Sequence, residues 1–134
     1  MYSHVTVGAN DFARAKQFYD AVLPTIGLKS FFDNAQLGVL GYAPNPPRAP
    51  QFWVLRPIDG KPASVGNGIT IAFDVAERQK VDAFHAAALA NGGTDEGKPG
   101  IRPHYHRNYY GAYVLDPEGN KICVVCHRRP QPAA

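Results

Sequence analysis

The densest group of side chains that could do chemistry lies between Arg102 and Tyr110, in a segment that reads RPHYHRNYY. An arginine can hold an anion, imidazoles exchange protons near neutral pH, and tyrosine rings can stack on a flat ligand. We therefore treat His104 and His106 as candidate catalytic acids or bases, and Arg102, Tyr109 and Tyr110 as candidate ligand-binding residues. The alternative is an aromatic-rich edge or a dimer contact, and the residue types leave both open.

The strand that follows restricts which tyrosines can act together. Side chains alternate along a strand, so Tyr109, Gly111 and Tyr113 are expected on one face and Tyr110 and Ala112 on the other. Only one tyrosine of the adjacent pair can then face a cavity.

A second group, Cys123-Val124-Val125-Cys126-His127, has the spacing of a c-type haem attachment motif. Its β-branched residues indicate a strand, in which positions three apart face opposite sides, so both thiols could not easily reach one haem. The chain also shows no export signal, and its one methionine is the first residue. Cys123 is therefore interpreted either as a small residue of a cavity wall or as a thiolate ligand for zinc.

Size and charge limit the classes of function. The 134 residues, 45% of them hydrophobic, match a single domain with one core. The formal net charge of +3 comes from scattered cations, which argues against nucleic-acid binding, and no apolar run is long enough to cross a membrane. Two cysteines are too few for a disulfide scaffold, and without a signal peptide we expect a cytoplasmic protein.

The first half of the chain predicts one strand, one helix and three strands. His4–Val7 alternates as a strand does, and Asn10-Asp11 can cap a helix whose apolar residues recur with helical period until Pro24. Three short β-rich runs follow, at about 28–32, 36–42 and 51–55, with Asp33-Asn34 as a turn and a Pro-rich loop between them.

The second half repeats the first after a Gly- and Pro-rich linker. A strand is expected over 69–75, then a helix with the stripe Val81, Phe84, Ala88 and Leu89, in which His85 is expected to be partly exposed. A short, irregular strand is expected between 94 and 106. Strands are also expected over 109–115 and 121–126, on either side of the turn DPEGN. A shift of 66 residues lays His4 on Thr70, Phe18 on Phe84 and Gly27 on Gly93, so one unit occurs twice.

The repeat, the helix ARAKQFYDAVL, the segment GNGITIAF and the late DPEGN turn together resemble the vicinal oxygen chelate superfamily, which includes glyoxalase I, bleomycin-resistance proteins and extradiol dioxygenases. The chain looks most like small bacterial glyoxalase-like members. The resemblance implies an α+β fold of two tandem βαβββ modules, about 1–56 and 68–127, forming an open, incomplete barrel with a central cavity. It covers residues 1–127 as one domain, leaving 128–134 as a flexible tail, and it implies a homodimer.

The resemblance also implies where a divalent metal would be held. The ligand on the first strand matches His4, and its counterpart in the second module is Thr70. The ligand on the last strand falls on Cys123, and Gln51-Phe52-Trp53 stands where the first module would offer a Glu. Zn, Fe, Mn or Ni each need three or four suitable donors, so the usual ligand set is largely lost and we expect no cofactor.

These residues support a protein that binds a small organic molecule in its cavity. Trp53 stands on a strand expected to line that cavity, where it is either a core residue or a flat platform for a ligand. Two alternatives stay open: a metal-dependent lyase or dioxygenase using His4 and Cys123, and a metal-free acid/base enzyme using His104 or His106.

Overall fold

The computed structural model describes residues 1–130 and 132, and it shows the predicted pair of βαβββ modules. The first module contains β1 (His4–Gly8), α1 (Phe12–Val22), β2 (Lys29–Asn34), β3 (Val39–Ala43) and β4 (Gln51–Leu55). The second contains β5 (Ile71–Asp74), α2 (Arg78–Ala90), β6 (Thr94–Ile101), β7 (Tyr110–Leu115) and β8 (Lys121–Cys126). The fold is α+β, with two four-stranded sheets ordered β1-β4-β3-β2 and β5-β8-β7-β6 that do not close into one barrel. No helix in the described ranges is both long and apolar enough to cross a membrane.

Local sequence explains where α1 begins and ends. The Asp11 carboxylate accepts a hydrogen bond from the Arg14 backbone N–H at 3.1 Å, which caps the helix. Pro24 stops the α-helical pattern, and a short 3₁₀ turn over Leu23–Ile26 follows. Gly27 ends that turn at φ 86°, a left-handed conformation that favours glycine.

The two sheets are built in the same register. In the first, β1 runs parallel to β4 and Thr6 lies opposite Trp53; in the second, β5 runs parallel to β8 and Ala72 lies opposite Cys123. The 66-residue shift relates Thr6 to Ala72, so Trp53 and Cys123 occupy equivalent places.

The core lies on the helix side of both sheets. Phe18, Tyr19, Phe52, Phe73 and Phe84 are linked by successive ring contacts, and the Phe52 and Phe73 centroids are 5.3 Å apart across the boundary between modules. Because these rings pack continuously, the two modules share one hydrophobic core.

Two expectations about α2 were wrong. His85, predicted to be partly exposed, is buried, and its Nε2 lies 2.9 Å from Oδ1 of Asp95 on β6. The Asp95 carboxylate gives the imidazole a hydrogen-bond partner, which offsets the free-energy cost of burying this polar side chain. Leu89, predicted in the buried stripe, is 43% exposed because α2 turns the side of Val81, Phe84, His85 and Ala88 toward the sheet.

Two strand predictions also need correction. The strand β6, expected to be short, spans eight residues, and its irregularity appears as two register shifts against β7. Asp33-Asn34, predicted as a turn, continues β2, and the chain turns after Asn34 instead. The Asn34 side chain accepts a hydrogen bond from the Leu37 N–H at 2.9 Å, which stabilises the later turn.

The DPEGN turn ties the modules together. The Asp116 carboxylate is buried and accepts bonds from the backbone N–H groups of Glu118 and Asn120, from the Asn120 side chain, and from the Tyr19 hydroxyl at 2.5 Å. The Asn120 amide also donates to the Gly8 carbonyl at 3.0 Å. This turn of the second module is therefore fastened to β1 and α1 of the first.

Candidate functional site

Each sheet packs one face against its helix and turns the other face away. Phe52 and Val54 of β4, and Ile122 and Val124 of β8, are buried in the core. Since side chains alternate along a strand, Trp53 and Cys123 lie on the opposite faces, which we call the helix-free faces.

The helix-free face of the first module is aromatic. The Trp53 indole lies over Gly41 of β3, where an added Cβ would come within 2.8 Å of the ring. The rings of Phe31 and Phe32 have centroids 5.3 Å and 5.6 Å from the indole, and a register shift between Ser30 and Phe32 brings both to this side. The indole N–H donates to Gln51 Oε1 at 3.1 Å. The result is a half-exposed aromatic surface.

The equivalent face of the second module is polar. The Tyr109 and Tyr113 hydroxyl oxygens are 2.7 Å apart, and the Tyr109 hydroxyl is 3.7 Å from the Cys123 sulfur. Burial raises the pKa of Cys123 and, as the largest cause, also the pKa of Tyr109 and of Tyr113. This network, which we call the tyrosine–thiol network, is therefore protonated and neutral at physiological pH.

The two helix-free faces place the large and the small residue of an equivalent cross-strand pair on opposite strands. Trp53 lies opposite Gly41 in the first sheet, and Cys123 lies opposite Tyr113 in the second. In each pair one residue is large and aromatic and the other is small, but the large one is on β4 in the first module and on β7 in the second. Each module thus presents one aromatic ring and one small residue at this cross-strand pair.

Two cations lie beside Tyr113. The Arg102 guanidinium carbon is 5.7 Å from the centroid of the Tyr113 ring, and Lys121 Nζ is 5.3 Å from it. Arg102 folds back along β6 and donates to the carbonyls of Gly100 at 2.8 Å and Lys98 at 2.7 Å. Among the described residues, neither cation forms a salt bridge with a carboxylate.

The structure places the two candidate acid/base histidines at the rim of the network. His106 Nδ1 accepts a bond from the Asn108 N–H at 3.1 Å, and His106 Nε2 is 2.8 Å from His127 Nδ1. Both His106 nitrogens are therefore engaged, which leaves no free nitrogen for proton exchange with a ligand. His104 is exposed and packs against the Tyr105 ring at 4.3 Å.

Tyr110 points away from this group. Its hydroxyl donates to Asp82 Oδ1 at 2.6 Å, and the Arg78 guanidinium lies over its ring, both on α2. The expected alternation of β7 is thus observed, and it places Tyr110 on the helix side, apart from Tyr109, Tyr113 and Arg102.

The proposed metal ligands do not come together. His4 is exposed, its Nδ1 lies 2.9 Å from the Ser3 hydroxyl, and it lines a cleft that does not include Cys123. Thr70 precedes β5, and Cys123 is held as a neutral thiol against Tyr109. No three His, Cys, Asp or Glu side chains in the described part of the chain are grouped as metal ligands. The donor set does not fit the divalent metal that the superfamily resemblance implies.

Two clefts run between the modules. One, of about 740 Å³, is mainly apolar and is lined by His4, Gln51 and Phe73 among others. The other, of about 730 Å³, is polar and is lined by Thr6, Thr70 and Lys121. The polar cleft borders each helix-free face at one residue: Thr6 lies next to Trp53 across β1 and β4, and Lys121 lies beside Tyr113. Neither Trp53 nor Tyr113 lines the cleft itself.

Three residues of this site were not among the predicted site residues: Tyr113, Lys121 and His127. The alternation of β7 already placed Tyr113 beside Tyr109, and the alternation of β8 places Lys121 beside Cys123. His127 is the last residue of the cysteine motif, and its contact with His106 joins segments 21 residues apart, which spacing along the chain does not reveal.

Comparisons with known proteins agree with this architecture. Residues 2–124 match the model of the Glyoxalase/Bleomycin resistance protein/Dioxygenase superfamily. A search of curated proteins found no match. The chain is similar to the crystal structure of a glyoxalase/bleomycin resistance protein from Albidiferax ferrireducens T118, with 44% identity, a TM-score of 0.81 and coverage of 97% of this chain and 99% of that one.

Two more distant structures share the fold. A glyoxalase-related enzyme from Fulvimarina pelagi has 20% identity and a TM-score of 0.71, with 94% of this chain and 87% of that chain covered. A lactoylglutathione lyase from Agrobacterium tumefaciens has 18% identity and a TM-score of 0.65, with 94% and 92% covered. The family match over nearly the whole chain and the paired modules lead to one conclusion: the chain belongs to the Glyoxalase/Bleomycin resistance protein/Dioxygenase superfamily.

Proposed function

We propose that the chain binds a small, flat organic molecule between its helix-free faces and does so without a metal. One observation carries the proposal. The equivalent last-strand positions of the two modules hold Trp53 and Cys123, an aromatic ring and a neutral thiol hydrogen-bonded to tyrosine, in place of a pair of charged ligands.

The surroundings suit such a ligand. Trp53, Phe31 and Phe32 offer ring faces for stacking, while the tyrosine–thiol network offers hydroxyl groups for hydrogen bonds. A cleft of about 730 Å³ borders each side, at Thr6 and at Lys121. That volume is within the range of roughly 300–1,000 Å³ that small-molecule sites occupy.

The alternative is a metal-dependent lyase or dioxygenase using His4 and Cys123. It would need at least one further donor beside them, and burial keeps the Cys123 thiol protonated, which opposes metal binding. Metal-free acid/base catalysis from His104 or His106 is likewise not favoured, because both nitrogens of His106 are engaged and His104 is exposed to solvent. Binding is the function that these contacts favour.

We also propose a cytoplasmic homodimer. The two buried, unpaired cysteines suit a reducing compartment. The second sheet ends at the edge strand β6, whose Ile101 is 39% exposed, and a second copy could cover this edge. Light scattering of the purified chain would show a dimer; a monomer at all concentrations would contradict this part of the proposal.

The metal question is tested on protein purified without a metal-affinity tag or chelator. We expect elemental analysis to find no near-stoichiometric metal, and we expect Zn²⁺, Ni²⁺, Mn²⁺ and Fe²⁺ to leave the melting temperature unchanged, since a ligand of the folded state must raise it. Stoichiometric metal that is lost in His4→Ala would contradict the proposal and favour the metalloenzyme.

Binding itself is tested by NMR on chelator-treated protein. The chain has one tryptophan, so the Trp53 indole N–H gives a single resonance that reports on the aromatic face. We expect flat aromatic compounds to shift this resonance in a saturable manner. If none does, the proposed site is wrong.

A further inference from the structure

We propose that the ligand of this site is an organic carboxylate, with its anionic group held between Arg102 and Lys121 beside Tyr113. This inference rests on the proposed function, because it names the class of molecule that the site would take. It depends on the placement of the two cations, which the proposed function does not require.

The two cations approach one ring from neighbouring strands. Tyr113 is on β7, which lies between β6 and β8 in the sheet. Arg102 follows β6 and Lys121 begins β8, and both charged groups lie near the same ring, at 5.7 Å and 5.3 Å from its centroid. An anion beside the Tyr113 ring would therefore have a cation from each neighbouring strand close to it.

Arg102 is oriented before any ligand arrives. Its two terminal nitrogens each donate to a backbone carbonyl, of Gly100 and of Lys98. These bonds use two of the five guanidinium N–H groups, which leaves three that can donate to a ligand. Because the planar guanidinium is fixed, it loses little freedom when it binds a carboxylate in a two-point manner.

Nothing among the described residues neutralises the two cations. Glu96 lines the polar cleft together with Lys121, yet it makes no salt bridge with Lys121 or with Arg102. The neighbouring tyrosine–thiol network is held in its protonated form by burial and supplies no negative charge. The face of the Tyr113 ring attracts each cation, and a bound carboxylate would supply the full negative charge that the ring does not.

The remaining surface selects an organic anion over an inorganic ion. The polar cleft is lined by Lys121 and by Thr6, whose neighbour on β4 is Trp53, so a molecule that binds at Lys121 and fills the cleft would extend toward the aromatic face. A carboxylate at one end and an aromatic or other flat body at the other would use both surfaces.

The test compares matched pairs of compounds that differ only in charge. The panel contains benzoate, 2-naphthoate and biphenyl-4-carboxylate, each with the corresponding neutral aryl methanol, titrated into the full chain and followed at the Trp53 indole and tyrosine resonances. We expect each carboxylate that binds to bind about tenfold or more tightly than its neutral partner, as charge-assisted hydrogen bonds allow. We also expect the preference to weaken as salt is added.

Variants assign the preference to residues. Arg102→Gln should reduce carboxylate affinity by about tenfold, and Lys121→Met by less, because Lys121 is exposed and screened. Arg14→Gln and Lys61→Met remove the same charges at exposed positions elsewhere and should leave affinity unchanged. Arg102→Lys keeps the charge and should retain part of the affinity. It therefore shows whether Arg102→Gln weakens binding through the lost charge or through a disturbed end of β6.

The outcomes separate this inference from the proposed function. Equal affinity for carboxylates and their neutral partners overturns the inference and leaves small-molecule binding intact. A carboxylate preference that survives both Arg102→Gln and Lys121→Met also overturns it, because the charge would then be held elsewhere. If no compound shifts any resonance at its solubility limit, both the inference and the proposed function fail.

Discussion

Replacing Tyr19 with phenylalanine tests how the two modules are held together. Tyr19 is fully buried on α1, and its hydroxyl donates to Oδ2 of Asp116 at 2.5 Å. Asp116 belongs to the turn between β7 and β8 and is only 4% exposed. The substitution removes one oxygen atom, keeps the ring contacts with Phe18 and Phe52, and leaves part of a buried carboxylate without its donor.

The expected loss follows from the chemistry of that bond. A hydrogen bond to a charged group contributes about 1.5–3 kcal/mol, and the buried carboxylate cannot recover its donor from water. We therefore expect Tyr19→Phe to lower the free energy of unfolding by about 2 kcal/mol. For a chain of this size the melting temperature would fall by roughly 5–10 °C. Urea denaturation followed by far-UV circular dichroism measures the change.

Tyr42→Phe is the matched control. Its hydroxyl donates to Asp20 at 2.7 Å, and Asp20 is only partly buried, so water can replace the lost donor. We expect a loss of less than about 1 kcal/mol. If Tyr19→Phe costs no more than Tyr42→Phe, the buried Asp116 carboxylate does not depend on Tyr19 and the reasoning is refuted.

Three further predictions concern the core and the site. Gly41→Ala should destabilise the protein by about 1–3 kcal/mol, because its Cβ would meet the Trp53 ring at 2.8 Å; in a Trp53→Leu background the measured cost should shrink, and an equal cost in both would contradict this contact. Burial and Asp116 raise the pKa of Tyr19 above its ordinary 10.0, so the folded state keeps a proton that the unfolded state releases. The Tyr19 hydroxyl therefore contributes to the free energy of unfolding below about pH 10, and this contribution is lost as the pH rises further. Tyr19→Phe should lose less free energy of unfolding than wild type in alkaline urea titrations, and an equal loss would count against the assignment. Cys123 and Cys126 are each 1% exposed, so a thiol reagent should label neither until the protein unfolds, and rapid labelling of the native chain would show that one of them is accessible.

Much of the fold could be predicted from local patterns. The cap at Asp11, the stop at Pro24 and the turn around Asp116 each depend on a few adjacent residues, and the strand over Gln51–Leu55 matches the prediction residue for residue. His85 could not be placed because its burial depends on Asp95, ten residues away on another element. Leu89 was misplaced because the helical period leaves open how far the buried stripe extends around α2.

The site was less predictable than the fold. The segment around Arg102 and Tyr109 could be identified by residue type, and the alternation of β7 correctly separated Tyr109 from Tyr110. The role of Lys121 depends on the lateral order of β6, β7 and β8, which spacing along the chain does not give. The aromatic surface around Trp53 depends on a register shift in β2 that no sequence pattern marks.

The central claim is that the site binds its ligand without a metal. The most direct measurement titrates 2-naphthoate into chelator-treated protein and into protein equilibrated with Zn²⁺ or Ni²⁺, with the Trp53 indole resonance as the signal. We predict the same saturable shift and the same affinity in every sample, and no change in His4→Ala. Binding that requires the metal and disappears in His4→Ala would contradict the account.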